Sequence, residues 1–161
     1  MFYIDHLVSV NIFVFNTPKI SILGDICKFY FRYLGIINDG FISKDIGGGF
    51  EKIEKLYSNS HFFFVPSKSE CLGIAFCEAM SYGLPCVSSI AGGIPTIIKD
   101  NYNGILLPIE ATAEEYAKRI LQVFNSKSIY KEMSKIAYNE YVTKLNWKVA
   151  GETMVKYLKT L

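Results

Sequence analysis

The sequence predicts an α/β domain built on a doubly wound parallel sheet. Three observations carry that prediction. Apolar runs of strand length alternate with helical patterns from Phe50 onward, the order that successive βαβ units require. The clearest unit, Phe62 to Pro85, reads FFFVPSKSECLGIAFCEAMSYGLP and joins strand, polar loop and helix in one stretch. At 161 residues, with 50% of them hydrophobic and 20% charged, the chain has the size and balance of one globular domain rather than a disordered tail.

Taken in order, Met1 to Phe15 is apolar, but Asp5, His6 and Asn11 interrupt it. It lacks a basic start and is too short to span a bilayer, so one or two strands or a helix fragment are expected. Lys19 to Leu23 is a strand ending at Gly24-Asp25, and Cys27 to Leu34 is aromatic without a deciding period. Gly35 to Ser43 offers a short strand pair around Asn38-Asp39-Gly40, but a turn from Gly40 to Lys44 is the preferred reading. Gly47 to Gly49 reads as a flexible loop, because no Lys-Ser/Thr follows it as a phosphate loop would require. Phe50 to Asn59 is an amphipathic helix with Ile53, Leu56 and Tyr57 inward.

Phe62 to Val65 is a short apolar run, rich in aromatic and β-branched residues, hence a buried strand. Pro66 stops it, Ser67 to Gly73 form a polar turn, and a helix runs from Ile74 to Tyr82. Gly83 is its expected left-handed cap, with Pro85 beyond. Pro85 to Ser89 is the next strand, and Ala91-Gly92-Gly93 lead into a short helix from Pro95 to Lys99. Asp100 to Gly104 is a turn and Ile105 to Leu107 a strand. Thr112 caps a helix to about Phe124, with Glu115 completing a capping box. Two more helices follow, from about Ser128 to Lys144 and from about Trp147 to Leu158.

Composition excludes several classes. A net charge of +2 does not argue for nucleic acid. The four cysteines, at 27, 71, 77 and 86, form no Cys-x-x-Cys pair and find no histidine at ligand spacing, so no zinc site is expected. They read as reduced thiols of a cytoplasmic protein. After Ala111, nine Lys and Arg face five Asp and Glu. A solvated basic face is the preferred reading, and a peripheral contact with the inner face of a membrane is the second.

The candidate site lies in the loop after the Phe62 strand. In open α/β sheets ligands sit at the carboxyl ends of strands, and this end carries Ser67, Ser69, Glu70 and Gly73. A helix starting near Leu72 or Gly73 offers unpaired N–H groups to an anion, and Gly73 lets a ligand approach the backbone. A carboxylate accepts from sugar hydroxyls while amides take phosphate, so Glu70 beside such a helix start suits a nucleotide sugar. Gly92-Gly93 either exposes N–H groups to a phosphate or sugar or is a plain tight turn. Glu70 and Glu78 as the acid and nucleophile of a glycosidase fit poorly, because their separation is set by loop and helix rather than by attack geometry.

The ordered string Pro66-Ser67, Glu70, Gly73, Glu78, Ala79-Met80, Gly83-x-Pro85, Gly92-Gly93 and Asn103-Gly104 resembles the donor-binding core of the family 4 retaining glycosyltransferases, also called glycosyl transferases group 1. The resemblance covers about Lys19 to Trp147. It implies a Rossmann-like domain, the C-terminal half of a GT-B fold, with residues 1–161 as one partial domain and the N-terminal acceptor domain absent. It implies that Glu70 is the catalytic carboxylate that orients the donor sugar. Glu78 would bind the ribose, and the amides of Cys71, Leu72 and Gly73 would meet the sugar or diphosphate. Lys44, in a Gly-apolar-x-x-Lys turn from Gly40, and Gly92 and Gly93 would belong to donor-side loops. The implied reaction is transfer from a nucleotide-diphosphate sugar with retention of configuration, without cofactor or required metal, in polysaccharide or glycolipid assembly.

Two departures stand out. Thr96 holds a position where the family often has Glu, and nothing in Met1 to Pro18 matches the family's early Lys-Gly loop. The chain is therefore expected to be a truncated product, an inactive nucleotide-binding remnant or one half of a split enzyme. Its partners would be a nucleotide sugar, a saccharide or lipid-linked acceptor, and an acceptor-domain protein or a second copy of itself.

Overall fold

The computed structural model describes residues 12–13, 20–21, 36–37, 42–44 and 47–160. Strands β1 (Ile12–Phe13), β2 (Ile20–Ser21) and β3 (Ile36–Ile37) come first, followed by α1 (Gly49–Ser58), β4 (Phe62–Val65) and α2 (Ile74–Ser81). Then come β5 (Cys86–Ser89), α3 (Ile94–Ile97), β6 (Gly104–Leu107), α4 (Ala113–Asn125), α5 (Lys127–Thr143) and α6 (Trp147–Leu158). The expected segments Cys27 to Leu34 and Asn38 to Gly40, the rest of Met1 to Phe15, and Gly24-Asp25 lie outside the described residues.

The main sheet has the order β1-β4-β5-β6. β4, β5 and β6 run parallel, with Phe63 opposite Cys86 and Cys86 opposite Gly104. β1 joins antiparallel, Ile12 opposite Phe63. The sheet is thus parallel with an antiparallel edge, a common variant of the wholly parallel sheet expected from the strand and helix alternation. β2 and β3 pair parallel in a separate two-stranded sheet.

Both faces of the main sheet are covered, which is what double winding means physically. Phe63, Cys86 and Leu106 point into a core shared with Tyr57 of α1, Phe76, Ala79 and Met80 of α2, and Ala137 of α5. Phe62, Phe64, Val87 and Ile105 point the other way, onto Tyr116, Ile120 and Val123 of α4 and Met133 of α5. Alternation along each strand therefore feeds two cores, and a strand buried on both sides reads as an unbroken apolar run.

Caps set the helix ends. Gly83 takes φ 70, and the N–H groups of Gly83 and Leu84 donate to Met80 and Ala79 carbonyls, closing α2 in a Schellman motif. Thr112 and Glu115 form the expected capping box of α4. α3 starts one residue earlier and ends two residues sooner than the sequence suggests, because Ile98 is already extended. No helix among the described residues is long and apolar enough to cross a membrane.

Candidate functional site

The loop between β4 and α2 is held by β5 and by the turn that follows it. Ser88 Oγ donates to the Val65 carbonyl at 2.6 Å, and Ser89 Oγ donates to the Ser67 carbonyl. Two buried serines at the end of an otherwise apolar strand thus tie down the point where the chain leaves β4. Farther along, Gly93 N–H donates to the Glu70 carbonyl at 3.1 Å.

The glycine pair is what allows that approach. A Cβ on Gly93 would lie 1.8 Å from the Cys71 carbonyl oxygen, and one on Gly92 2.0 Å from that of Glu70. Of the two readings of this turn, the packing one has a direct cause: Gly92 and Gly93 press against the carbonyls of the Glu70 loop. Gly93 N–H is spent on that contact.

Gly73 caps α2 with φ 78, a left-handed conformation. A Cβ there would fall 2.4 Å from the Phe76 ring and 3.4 Å from Glu70 Cγ. The glycine therefore lets the chain turn sharply over a buried ring, an intramolecular reason beside the ligand approach expected from sequence. Glu70 Oε1 accepts from Cys71 N–H at 3.1 Å, so that amide is engaged by the neighbouring carboxylate. Leu72 and Cys71 are exposed, Glu70 half-buried.

Glu78 sits one turn into α2, in line with exposed Ile74 at i−4, while Phe76, Ala79 and Met80 face the core. Its Oε1 lies 2.5 Å from Lys44 Nζ. Sequence reading placed both residues in the site but not against one another, since they are 34 positions apart. The phenol of Tyr57 faces Glu78 from the core side; burial first, then the nearby carboxylate, pushes its pKa well up. Tyr57 is 2% exposed and stacks on Tyr82 with ring centroids 5.2 Å apart.

Tyr57 is the residue that sequence reasoning missed as part of the site. It stood on the inward stripe of α1 as core, and the one signal available was that a buried tyrosine hydroxyl needs a polar partner. Among the described residues no three His, Cys, Asp or Glu side chains gather to hold a metal ion. Cys77 and Cys86 are carried up in pKa by burial, as packing thiols are.

The arrangement puts one carboxylate in a braced loop at the carboxyl end of a parallel strand and a second on the adjoining helix, beside a lysine. Comparison with known proteins follows the same lines. The profile of the family described as glycosyl transferases group 1 matches residues 46–140, more than half the chain. Sulfoquinovosyl transferase SQD2 of Arabidopsis thaliana is 31% identical over 102 residues, which are 62% of this chain and 20% of that protein.

Among solved structures, Anabaena Alr3699/HepE in complex with UDP-glucose superposes with a TM-score of 0.64 at 20% identity, over 78% of this chain and 32% of that one. The C-terminal domain of a glycosyl transferase group 1 family protein (LpcC) from Francisella tularensis gives 0.61 at 23% identity, over 71% of this chain and 56% of that one. The chain spans about a fifth of the first relative and about a third of the first structure. The fold is the Rossmann-like half of a GT-B glycosyltransferase.

Proposed function

The chain belongs to the glycosyl transferases group 1 family, and from that premise we propose that it is the donor-binding domain of a family 4 retaining glycosyltransferase. Its ligand is a nucleotide-diphosphate sugar. The observation that carries this reading is the pair of carboxylates on one strand, loop and helix unit, with the loop braced by Gly92 and Gly93. UDP is the first nucleotide to try, because the HepE complexes hold UDP-glucose and UDP.

In this reading Glu70 touches the hydroxyls of the donor sugar and orients it, and Glu78 accepts from the ribose. Cys71 N–H is engaged by Glu70, so the amides of Leu72 and Gly73 are left as donors to the diphosphate. Preset N–H groups matter there because negative charge grows on the diphosphate as the anomeric C–O bond breaks. The acceptor hydroxyl oxygen then bonds the anomeric carbon on the face the diphosphate leaves, and its proton passes to the departing diphosphate. A polysaccharide or glycolipid is the product class, and the cytoplasm is the place of work, with contact at the inner face of the membrane as the second reading.

A second reading, a subunit that pairs with an acceptor-domain polypeptide, draws on α6. No residue of α6 is buried among the described residues, and Trp147 is 80% exposed. On this view the purified chain alone transfers little sugar, and substantial turnover by it would overturn that view.

Calorimetry of the full chain with UDP, GDP and ADP, beside Glu78→Ala, tests the donor site. Selective binding of one nucleotide, weakened in the variant, is expected. A folded chain that binds none of them is a remnant that keeps the fold without the ligand.

A further inference from the structure

We propose that Lys44 is the positioning residue of Glu78, holding its carboxylate so that the site distinguishes ribose from deoxyribose. The proposal deepens the donor-site reading and rests on it.

The pair has a geometry that stability does not explain. Lys44 Nζ meets Glu78 Oε1 at 2.5 Å, with the two side chains 46% and 37% exposed. Exposed ion pairs contribute little to folding, because holding two long side chains still costs nearly what the attraction returns. Yet this one links the turn before α1 to the middle of α2, across 34 residues. What it does accomplish is to restrict the side-chain torsions of a partly exposed helical glutamate.

Restriction matters for the role given to Glu78. An ionised carboxylate has about four acceptor positions, and Lys44 takes one, so ribose hydroxyls still find lone pairs. A hydroxyl gains most from a carboxylate already fixed in place, since no rotamer has to be frozen on binding. On the core side the buried Tyr57 phenol lies close enough to the same carboxylate for the two to interact. Tyr57 itself is fixed by its stack on Tyr82 and by Phe63, 5.9 Å away.

The test measures dissociation constants of the full chain for UDP, GDP and ADP and for their 2′-deoxy counterparts, with Lys44→Met, Lys44→Arg, Glu78→Gln and the double variant Lys44→Met/Glu78→Gln. For the nucleotide that binds, Lys44→Met should cut the preference for ribose by roughly twofold to tenfold, the range expected when one side-chain rotamer is no longer preset. The 2′-deoxy affinity should stay put, and Lys44→Arg should restore the preference. Glu78→Gln should cut it as well, and the double variant no further. Thermal melts should hardly move in any of them.

Equal weakening toward ribose and deoxyribose forms would mean that Lys44 meets the phosphates, and would overturn the proposal. So would an unchanged preference in Lys44→Met, or tighter binding by it. If Glu78→Gln keeps the preference, or the wild-type chain binds no nucleotide, the donor-site reading fails first and this one with it. Loss of preference in Glu78→Gln but not in Lys44→Met sinks the role of Lys44 alone.

Discussion

Single atoms decide whether the site loop keeps its shape. Gly93 has an ordinary αR backbone, φ −84, so alanine is not strained there by conformation. Its Cβ would nevertheless fall 1.8 Å from a backbone carbonyl that has no flexible end to swing away. Gly93→Ala should cost about 1–3 kcal/mol in urea unfolding, the usual range for overpacking, and should weaken nucleotide binding by moving the Glu70 loop. Gly151 is the contrast. Nothing lies within 4 Å of its missing Cβ, and it sits inside α6. Gly151→Ala should therefore stabilise by about 0.5–1 kcal/mol, the helix-propensity gain. If both substitutions behaved alike, the close approach at Gly93 would have no energetic meaning.

At the level of elements, helices here are anchored by ends and faces rather than by length. α2 has eight residues, too short to persist alone, and holds because Phe76, Ala79 and Met80 are buried and Gly83 closes it. Ser134 Oγ of α5 adds a bond to the Gly83 carbonyl at 2.6 Å, pinning the far end of the helix that carries Glu78. α4 is anchored at its start: Thr112 Oγ accepts from Glu115 N–H at 3.3 Å and Glu115 Oε2 accepts from Thr112 N–H at 2.7 Å. Thr112→Ala removes one of these bonds and should lower stability by about 1 kcal/mol, read as a shift in urea midpoint with unchanged slope. Nucleotide affinity should not follow, since α4 packs on the opposite face from α2.

For the molecule as a whole, β4 is the seam of two cores, and His61 stands at its head. The His61 ring is packed edge-on to Phe124 at 5.1 Å and against Tyr130 at 5.8 Å, and Nδ1 has no hydrogen-bond partner among the described residues. Burial lowers its pKa below the usual 6.5. The unfolded chain therefore binds a proton more readily than the folded one. Stability from this group is complete above about pH 6.5 and declines as pH falls from there toward the folded-state pKa. Urea midpoints from neutral to mildly acid pH should show that decline in the wild type, and His61→Phe should flatten it. Phe63 tests the seam itself: it is fully buried between α1 and α2. Phe63→Ala should cost about 3–5 kcal/mol, a large part of a typical domain's total stability of about 5–15 kcal/mol.

The sequence by itself determined the α/β class, the bounds of β4, α6 and the capping box of α4, and the placement of Glu70, Gly73 and Glu78 on one strand, loop and helix unit. These are local matters: apolar period, proline, glycine and cap residues act within a few positions, so the chain order displays them. Two things were decided only by tertiary structure. The contact of Lys44 with Glu78, and of the Gly92-Gly93 turn with the carbonyls of Glu70 and Cys71, joins segments far apart in sequence, and no periodicity reports such distances. Tyr57 shows the same limit. Its position on the apolar stripe of α1 marked it as core, and only the docking of α1 on α2 brought its hydroxyl to a carboxylate. The antiparallel edge strand β1 belongs here too, because strand direction depends on which neighbour the chain meets, and two residues of pattern cannot state that.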